Sequence, residues 1–173
     1  MSKMKTTVLD VAVSLLGVLY IVGFILFIPL IHGTENGKFL VWYIVLGAWG
    51  TDTFAYYIGR KFGKHKLTKV SPNKSVEGSI GGIVGAVILF LCYTIAVNHY
   101  TDLALPYVYI GILGVIFSIL GQFGDLAASS IKRYLEIKDF GELIPGHGGI
   151  LDRIDSIIFI APFAYFLLMI LMG

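Results

Sequence analysis

Five runs of mostly apolar residues, from 18 to 29 long, constrain this chain more than anything else in it. They cover residues 11–31, 39–59, 78–98, 103–131 and 156–173. A helix needs about 20 apolar residues to cross the hydrocarbon core of a bilayer. The composition agrees, with 57% hydrophobic and only 14% charged residues. A soluble domain of this size carries about 25% charged residues. The expected fold is therefore an all-α polytopic membrane protein of five transmembrane helices, with its working residues on cytoplasmic loops. The whole chain, residues 1–173, reads as one integral membrane domain. The first run, Val11–Ile31, has 21 residues without a charge and no A-x-A site after it. A signal-peptide core is only about 7–15 residues long, so this run reads as a spanning helix.

Charge placement sets the expected orientation. Twelve of the 13 Lys and Arg residues fall in three places: the N-terminus, the segment 60–77 and the segment 132–153. The two other connections, 32–38 and 99–102, hold only Lys38. Five alternating spans put all three basic places on one side, which the positive-inside tendency makes cytoplasmic. The expected location is the cell (inner) membrane. The N-terminus and active loops would be cytoplasmic and the C-terminus outside.

The remaining polar residues are few, and their types are informative. Asp125 lies near the inner end of the fourth run, where a carboxylate is costly and faces a partner or a wet cavity. Ser129, Lys132 and Arg133 follow it on one broad helical stripe. Asp52 sits at a similar depth in the second run, on a face shared with Ala55, Tyr56 and Gly59. The two acids could meet in one cavity, or each could simply pair with a nearby cation.

Two loops carry the rest. Residues 60–79 are basic and include Ser71-Pro72-Asn73-Lys74-Ser75, a turn bearing phosphate-type donors. Glu77 follows at the start of the third run, where an acid suits the positive end of a helix. The glycines at 78, 81, 82 and 85 suit close helix packing, or else leave room for a lipid chain or phosphate. The second loop, 138–155, joins Lys138, Asp139, His147, Asp152, Arg153 and Asp155 to a Pro-Gly-His-Gly-Gly turn. Such a turn exposes backbone N–H groups as phosphate sites require. Carboxylates, cations and a glycine turn together suit a metal-bound phosphate ester. Mg²⁺ fits best, because it takes carboxylate oxygens and keeps substrate phosphates as ligands. Zinc does not fit, since the four histidines are scattered and the lone Cys92 lies in an apolar run. Walker, G-x-G-x-x-G and G-x-S-x-G motifs are absent from the sequence. The basic loop lacks a stacking pattern for nucleic acid.

Residues 129–155 read S-x-x-K-R-x4-K-D-x-G-x-x-I-P-G-H-G-G-x-L-D-R-x-D. This closely resembles the signature of the phosphatidate cytidylyltransferase family, the CDP-diacylglycerol synthases. An upstream block, from Trp49 through Asp52, Ala55, Tyr56, Gly59, Gly63 and Lys64 to SPNKSVEGSIGG, looks like the family's other shared segment. The resemblance runs from about Trp49 to the C-terminus. Family members usually carry several more N-terminal helices, so it implies a shortened member or a piece of a longer chain.

The resemblance implies that CTP and phosphatidate, drawn from the membrane lipid, give CDP-diacylglycerol and pyrophosphate. It implies Mg²⁺, with a second cation left open, and a homodimer. Catalysis would fall to Asp125, Asp152, Lys132 and Arg133, with Asp125 and Asp152 as metal ligands. Asp52, Ser71, Lys74, Ser75, Lys138, Asp139, His147, Arg153 and Asp155 would bind substrate. Rival readings are a CTP-dependent enzyme of the CDP-archaeol synthase or polyprenol kinase type, a transporter using Asp52 and Asp125 as a coupling-ion pair, and an inactive structural subunit. Nucleic acid is not an expected partner.

Overall fold

The computed structural model describes residues 7–68, 70–141 and 148–172. Among these, seven α-helices follow one another: α1 (Val8–Ile25), α2 (Phe27–His32), α3 (Gly37–Val45), α4 (Thr51–Phe62), α5 (Val76–Tyr100), α6 (Tyr107–Tyr134) and α7 (Leu151–Met172). A π turn, Leu46–Gly50, joins α3 to α4. The described residues contain no β-strand; Lys66 and Ser75 form an isolated bridge.

Four helical segments are long and apolar enough to cross a membrane: Val8–His32, Val76–Tyr100, Tyr107–Tyr134 and Leu151–Leu171. These match four of the five expected runs. The remaining run, 39–59, is helical but jointed, passing through α3, the π turn and α4, and does not qualify as a single long apolar helix. α4 is the polar end of this segment, with Asp52 in its first turn and Arg60 and Lys61 in its last.

Local chemistry explains the helix ends. Thr7 and Asp10 form a reciprocal capping box: the Asp10 N–H donates to Thr7 Oγ1 at 3.2 Å and the Thr7 N–H to Asp10 Oδ2 at 2.8 Å. The joint at Leu26 between α1 and α2 has a simple cause. Pro29 has no N–H to offer the carbonyl of Ile25, and its ring crowds that carbonyl. Ser75 caps α5, its Oγ accepting from the Gly78 N–H at 3.1 Å.

The core is aromatic. Tyr43, Phe90 and Phe117 are fully buried, with ring centroids 5.1 Å apart for Tyr43–Phe90 and 5.7 Å for Phe90–Phe117. The Tyr43 hydroxyl lies 2.7 Å from Thr94 Oγ1, so the one polar atom on that ring is matched. Leaving it unmatched in this core would cost about 1–3 kcal/mol.

Glycines set how closely the helices cross. A Cβ on Gly85 would lie 2.1 Å from Phe54 Cγ, and one on Gly81 would lie 2.5 Å from Ile58 Cδ1. A Cβ on Gly124 would lie 2.6 Å from Phe159 Cβ. The glycine stripe of α5 therefore serves close packing against α4, the first of its two sequence readings. Outside this core the surface is apolar. No α1 residue is buried, and Leu16, Ile80, Ile112 and Phe166 are exposed. Such a surface belongs in lipid, as in an integral membrane protein.

Candidate active site

The loop between α4 and α5 is folded back as a narrow hairpin. The Leu67 N–H donates to the Lys74 carbonyl at 2.9 Å, and the Val76 N–H to the His65 carbonyl at 3.0 Å. At the tip the Lys74 N–H donates to the Ser71 carbonyl at 3.1 Å, the tight turn expected around Pro72. Glu77 ties down the other end. Its Oε2 accepts from the Lys64 and His65 N–H groups at 3.1 and 3.3 Å, and its Oε1 lies 2.6 Å from His65 Nδ1. Glu77 thus serves the hairpin, in addition to suiting the helix end.

That hairpin carries Lys74 inward. Its ammonium pairs with Asp125 of α6 across 51 residues of sequence. Both line a cavity of about 560 Å³ enclosed by α4, α5, α6 and the hairpin. Asp52, Ser71 and Ser75 line the same cavity. Five of the expected site residues, from three separate stretches of sequence, thus share one space. Burial draws the Lys74 ammonium below its ordinary pKa, while the carboxylates of Asp52 and Asp155 oppose that shift.

Lys132 lies two turns beyond Asp125 on α6 and belongs to a second cluster. Its Nζ donates to Asp152 Oδ1 at 2.7 Å and lies over the Phe140 ring, 5.4 Å from the centroid. The other Asp152 oxygen accepts from the Phe140 N–H at 2.9 Å and the Gly149 N–H at 3.0 Å. Asp152 therefore pins the segment before α7 onto α6. Gly148 has φ +76°, and a Cβ there would lie 3.3 Å from both Asp139 Oδ1 and Asp152 Oδ2. Glycine fits between the two carboxylates where a larger residue would not.

Asp155, one turn further along α7, is buried; its Oδ1 accepts from the Ser156 N–H at 2.6 Å. Its charge acts on Lys74, which also feels Lys132.

Arg133 and Lys138 are exposed and line no part of the cavity, and neither does Arg153. His147 lies outside the described residues. Four cavity residues went unremarked as site candidates in the sequence: Arg60, Asn73, Ser79 and Gln122. Gln122 had a signal, since it lies one turn before Asp125 and so on its face. Asn73 sits inside the hairpin tip. Arg60, which donates to the Tyr56 hydroxyl at 3.0 Å, is one of six cations in the segment 60–77 and does not stand out among them in the sequence.

Among the described residues no three His, Cys, Asp or Glu side chains group as metal ligands. Asp125 offers hard oxygen on the cavity wall, the donor type Mg²⁺ takes. Asp152 has both oxygens engaged by N–H donors of the protein. Among the described residues the two acids share no hydrogen-bond partner. A cation ligated by one or two carboxylates and completed by substrate phosphates suits this donor set.

Fold and site together define a class: a helical membrane protein with a carboxylate–lysine cavity roofed by a basic hairpin. A sequence model of the Cytidylyltransferase family matches residues 1–171, and the chain belongs to that family. It is 43% identical to a phosphatidate cytidylyltransferase of Bacillus subtilis over 143 residues, which is 82% of this chain and 52% of the relative. It is 41% identical to one of Staphylococcus haemolyticus over 171 residues, 97% of this chain and 63% of the relative. One of Staphylococcus aureus is 40% identical over the same shares. The chain thus spans between half and two-thirds of the length of these relatives.

Proposed function

We propose that this chain carries the cytidylyl-transfer site of a phosphatidate cytidylyltransferase. The phosphomonoester oxygen of phosphatidate would bond to the α-phosphorus of CTP. The bond from that phosphorus to the β-phosphate bridging oxygen would break, and pyrophosphate would leave with the electron pair. The nucleophile is already an anion, so no strong base is needed. The obstacle is repulsion between two anionic reactants and the charge gathering on the leaving group.

The observation that carries this reading is the Lys74–Asp125 pair inside a cavity that also holds Asp52, in a chain of this family. Lys74 is held on a folded hairpin, so its charge is positioned before substrate arrives. Arg60, at the same cavity, adds a fixed charge with planar donors suited to phosphate. Lys132, locked to Asp152, holds the segment before α7 against the end of α6. Arg133, Lys138 and Arg153 would add positive field at the membrane surface.

Mg²⁺, when bound, would neutralise phosphate charge and stabilise the departing pyrophosphate. Asp125 would hold it. Asp152 would join only by exchanging one of its present donors. Substrates would reach the cavity from the cytoplasmic side, where the basic segments gather.

The deciding assay is pyrophosphate release by the purified, detergent-solubilised chain. Release that needs both CTP and phosphatidate and stops with EDTA is expected. No release with both present, at any Mg²⁺ concentration, refutes the reading.

A further inference from the structure

Beside the charged cavity lies a second, smaller one of about 290 Å³, and the two share Leu67, Ser79 and Gln122. The second cavity is apolar, walled by Ile83 of α5 and by Ile119, Phe123 and Leu126 of α6. Phe123 and Ile119 are exposed at its rim, on the surface that lipid covers. Polarity falls away along both helices towards it. On α6 the order is Asp125, Gln122, Ile119, each one turn from the last. On α5 it is Ser75, Ser79, Ile83, again one turn apart. The α6 order of ion, neutral hydrogen-bonding group and hydrocarbon is also the order of phosphate, ester and acyl chain in a diacylglycerol phosphate.

Ser79 and Gln122 stand at the junction and are joined to each other. The Ser79 hydroxyl donates to Gln122 Oε1. The Gln122 amide N–H₂ reaches the Ser79 carbonyl and Ser118 Oγ, both at 3.4 Å. N–H···O bonds favour about 2.9–3.0 Å, so these two are weak. A carbonyl arriving at the junction can take an amide proton from either without breaking a strong bond.

We propose that Gln122, positioned by Ser79, recognises the ester carbonyl of the lipid substrate, with one acyl chain in the Ile83–Ile119–Phe123 groove and the phosphate towards Lys74. This rests on the reading of the site as one that takes phosphatidate, and adds the residue that makes it prefer an ester-linked lipid. An ether-linked lipid presents no carbonyl there and would leave the amide with only its weak bonds.

Equilibrium binding separates this idea from turnover. Detergent-solubilised protein is titrated with dioctanoyl phosphatidate and with its dioctyl ether counterpart, and pyrophosphate release is measured separately. The wild type is expected to bind the ester about 3–10-fold more tightly, the value of one hydrogen bond. Gln122→Leu should bring that ratio close to one, and Ser79→Ala should narrow it. Equal wild-type affinities, no binding of either lipid, or a Gln122→Leu protein that weakens both lipids by the same factor overturns the proposal. Ser79→Ala removes a single hydroxyl and decides the matter if Gln122→Leu does not fold. A shifted ratio without turnover supports the lipid site and counts against the transferase reading. Turnover with an unmoved ratio does the reverse.

Discussion

The Lys132 ammonium reaches Asp152 Oδ1 at 2.7 Å, joining the C-terminal end of α6 to the start of α7 across 20 residues of sequence. The pair is nearly enclosed, with the two side chains 15% and 8% exposed. Removing one member leaves the other as an uncompensated charge, which costs about 3–5 kcal/mol in a buried pair. Lys132→Met is therefore expected to destabilise the protein by that order, and to speed trypsin cleavage at the exposed Lys138 nearby. Lys132→Met combined with Asp152→Asn, which keeps an acceptor oxygen for the Phe140 and Gly149 N–H groups, should recover much of the stability. Additive losses in the double variant, measured by thermal unfolding in detergent, would show that the pair is not coupled.

Asp125 is expected to matter for chemistry more than for folding. Asp125→Asn keeps the size of the side chain and a contact for Lys74. It removes the charge that holds that lysine and that would hold Mg²⁺. Pyrophosphate release should fall by about 10²–10³-fold, the usual consequence of losing one electrostatic group at a reacting centre. The melting temperature should change little. A variant with near-normal turnover at low Mg²⁺ would remove Asp125 from the site.

Glu77 should act on the site from a distance, through the hairpin. Its carboxylate accepts two backbone N–H groups and contacts the His65 ring. Glu77→Ala frees the hairpin that carries Lys74. The expected result is a KM for the anionic substrates raised about tenfold, with most of kcat kept. Glu77→Gln retains one acceptor oxygen and should restore part of the loss. An unchanged KM in Glu77→Ala would mean that the hairpin holds its form without this anchor.

The glycine stripe gives a clean contrast in stability. A Cβ on Gly85 would meet Phe54 at 2.1 Å, whereas one on Gly17 meets nothing within 4 Å. Gly85→Ala should cost about 1–3 kcal/mol through overpacking. Gly17→Ala should be neutral or slightly stabilising, because alanine favours the helix. Denaturant unfolding in detergent distinguishes them, and equal behaviour would contradict the α4–α5 crossing.

Orientation can be tested with single cysteines in a Cys92→Ala background. Lys66, Lys138, Glu35 and Asp102 are all exposed. An impermeant maleimide added to intact cells should label cysteines placed at 35 and 102. Those at 66 and 138 should react only after the membrane is opened. The opposite pattern would invert the proposed topology.

The apolar runs were plain in the sequence because lipid acts on each helix separately, and twenty apolar residues announce themselves without any partner. The run 39–59 was harder. Its π turn depends on Gly47 packing against Phe117 and Phe90, residues 43–70 positions away. Asp52, Lys74 and Asp125 were readable as candidates because charge in an apolar chain is conspicuous. Ser79 was not, since a neutral side chain in the first turn of a helix is unremarkable until a second helix is laid beside it, and Gln122 was marked only by its place one turn before Asp125.

Taken alone, the sequence determined the helical membrane class, the basic faces and the family resemblance, all of which follow from local polarity and order along the chain. Only the tertiary structure decided the pairing: Lys74 with Asp125 and Lys132 with Asp152. Ion pairs form through space, and which acid meets which lysine depends on how closely glycine lets the helices cross.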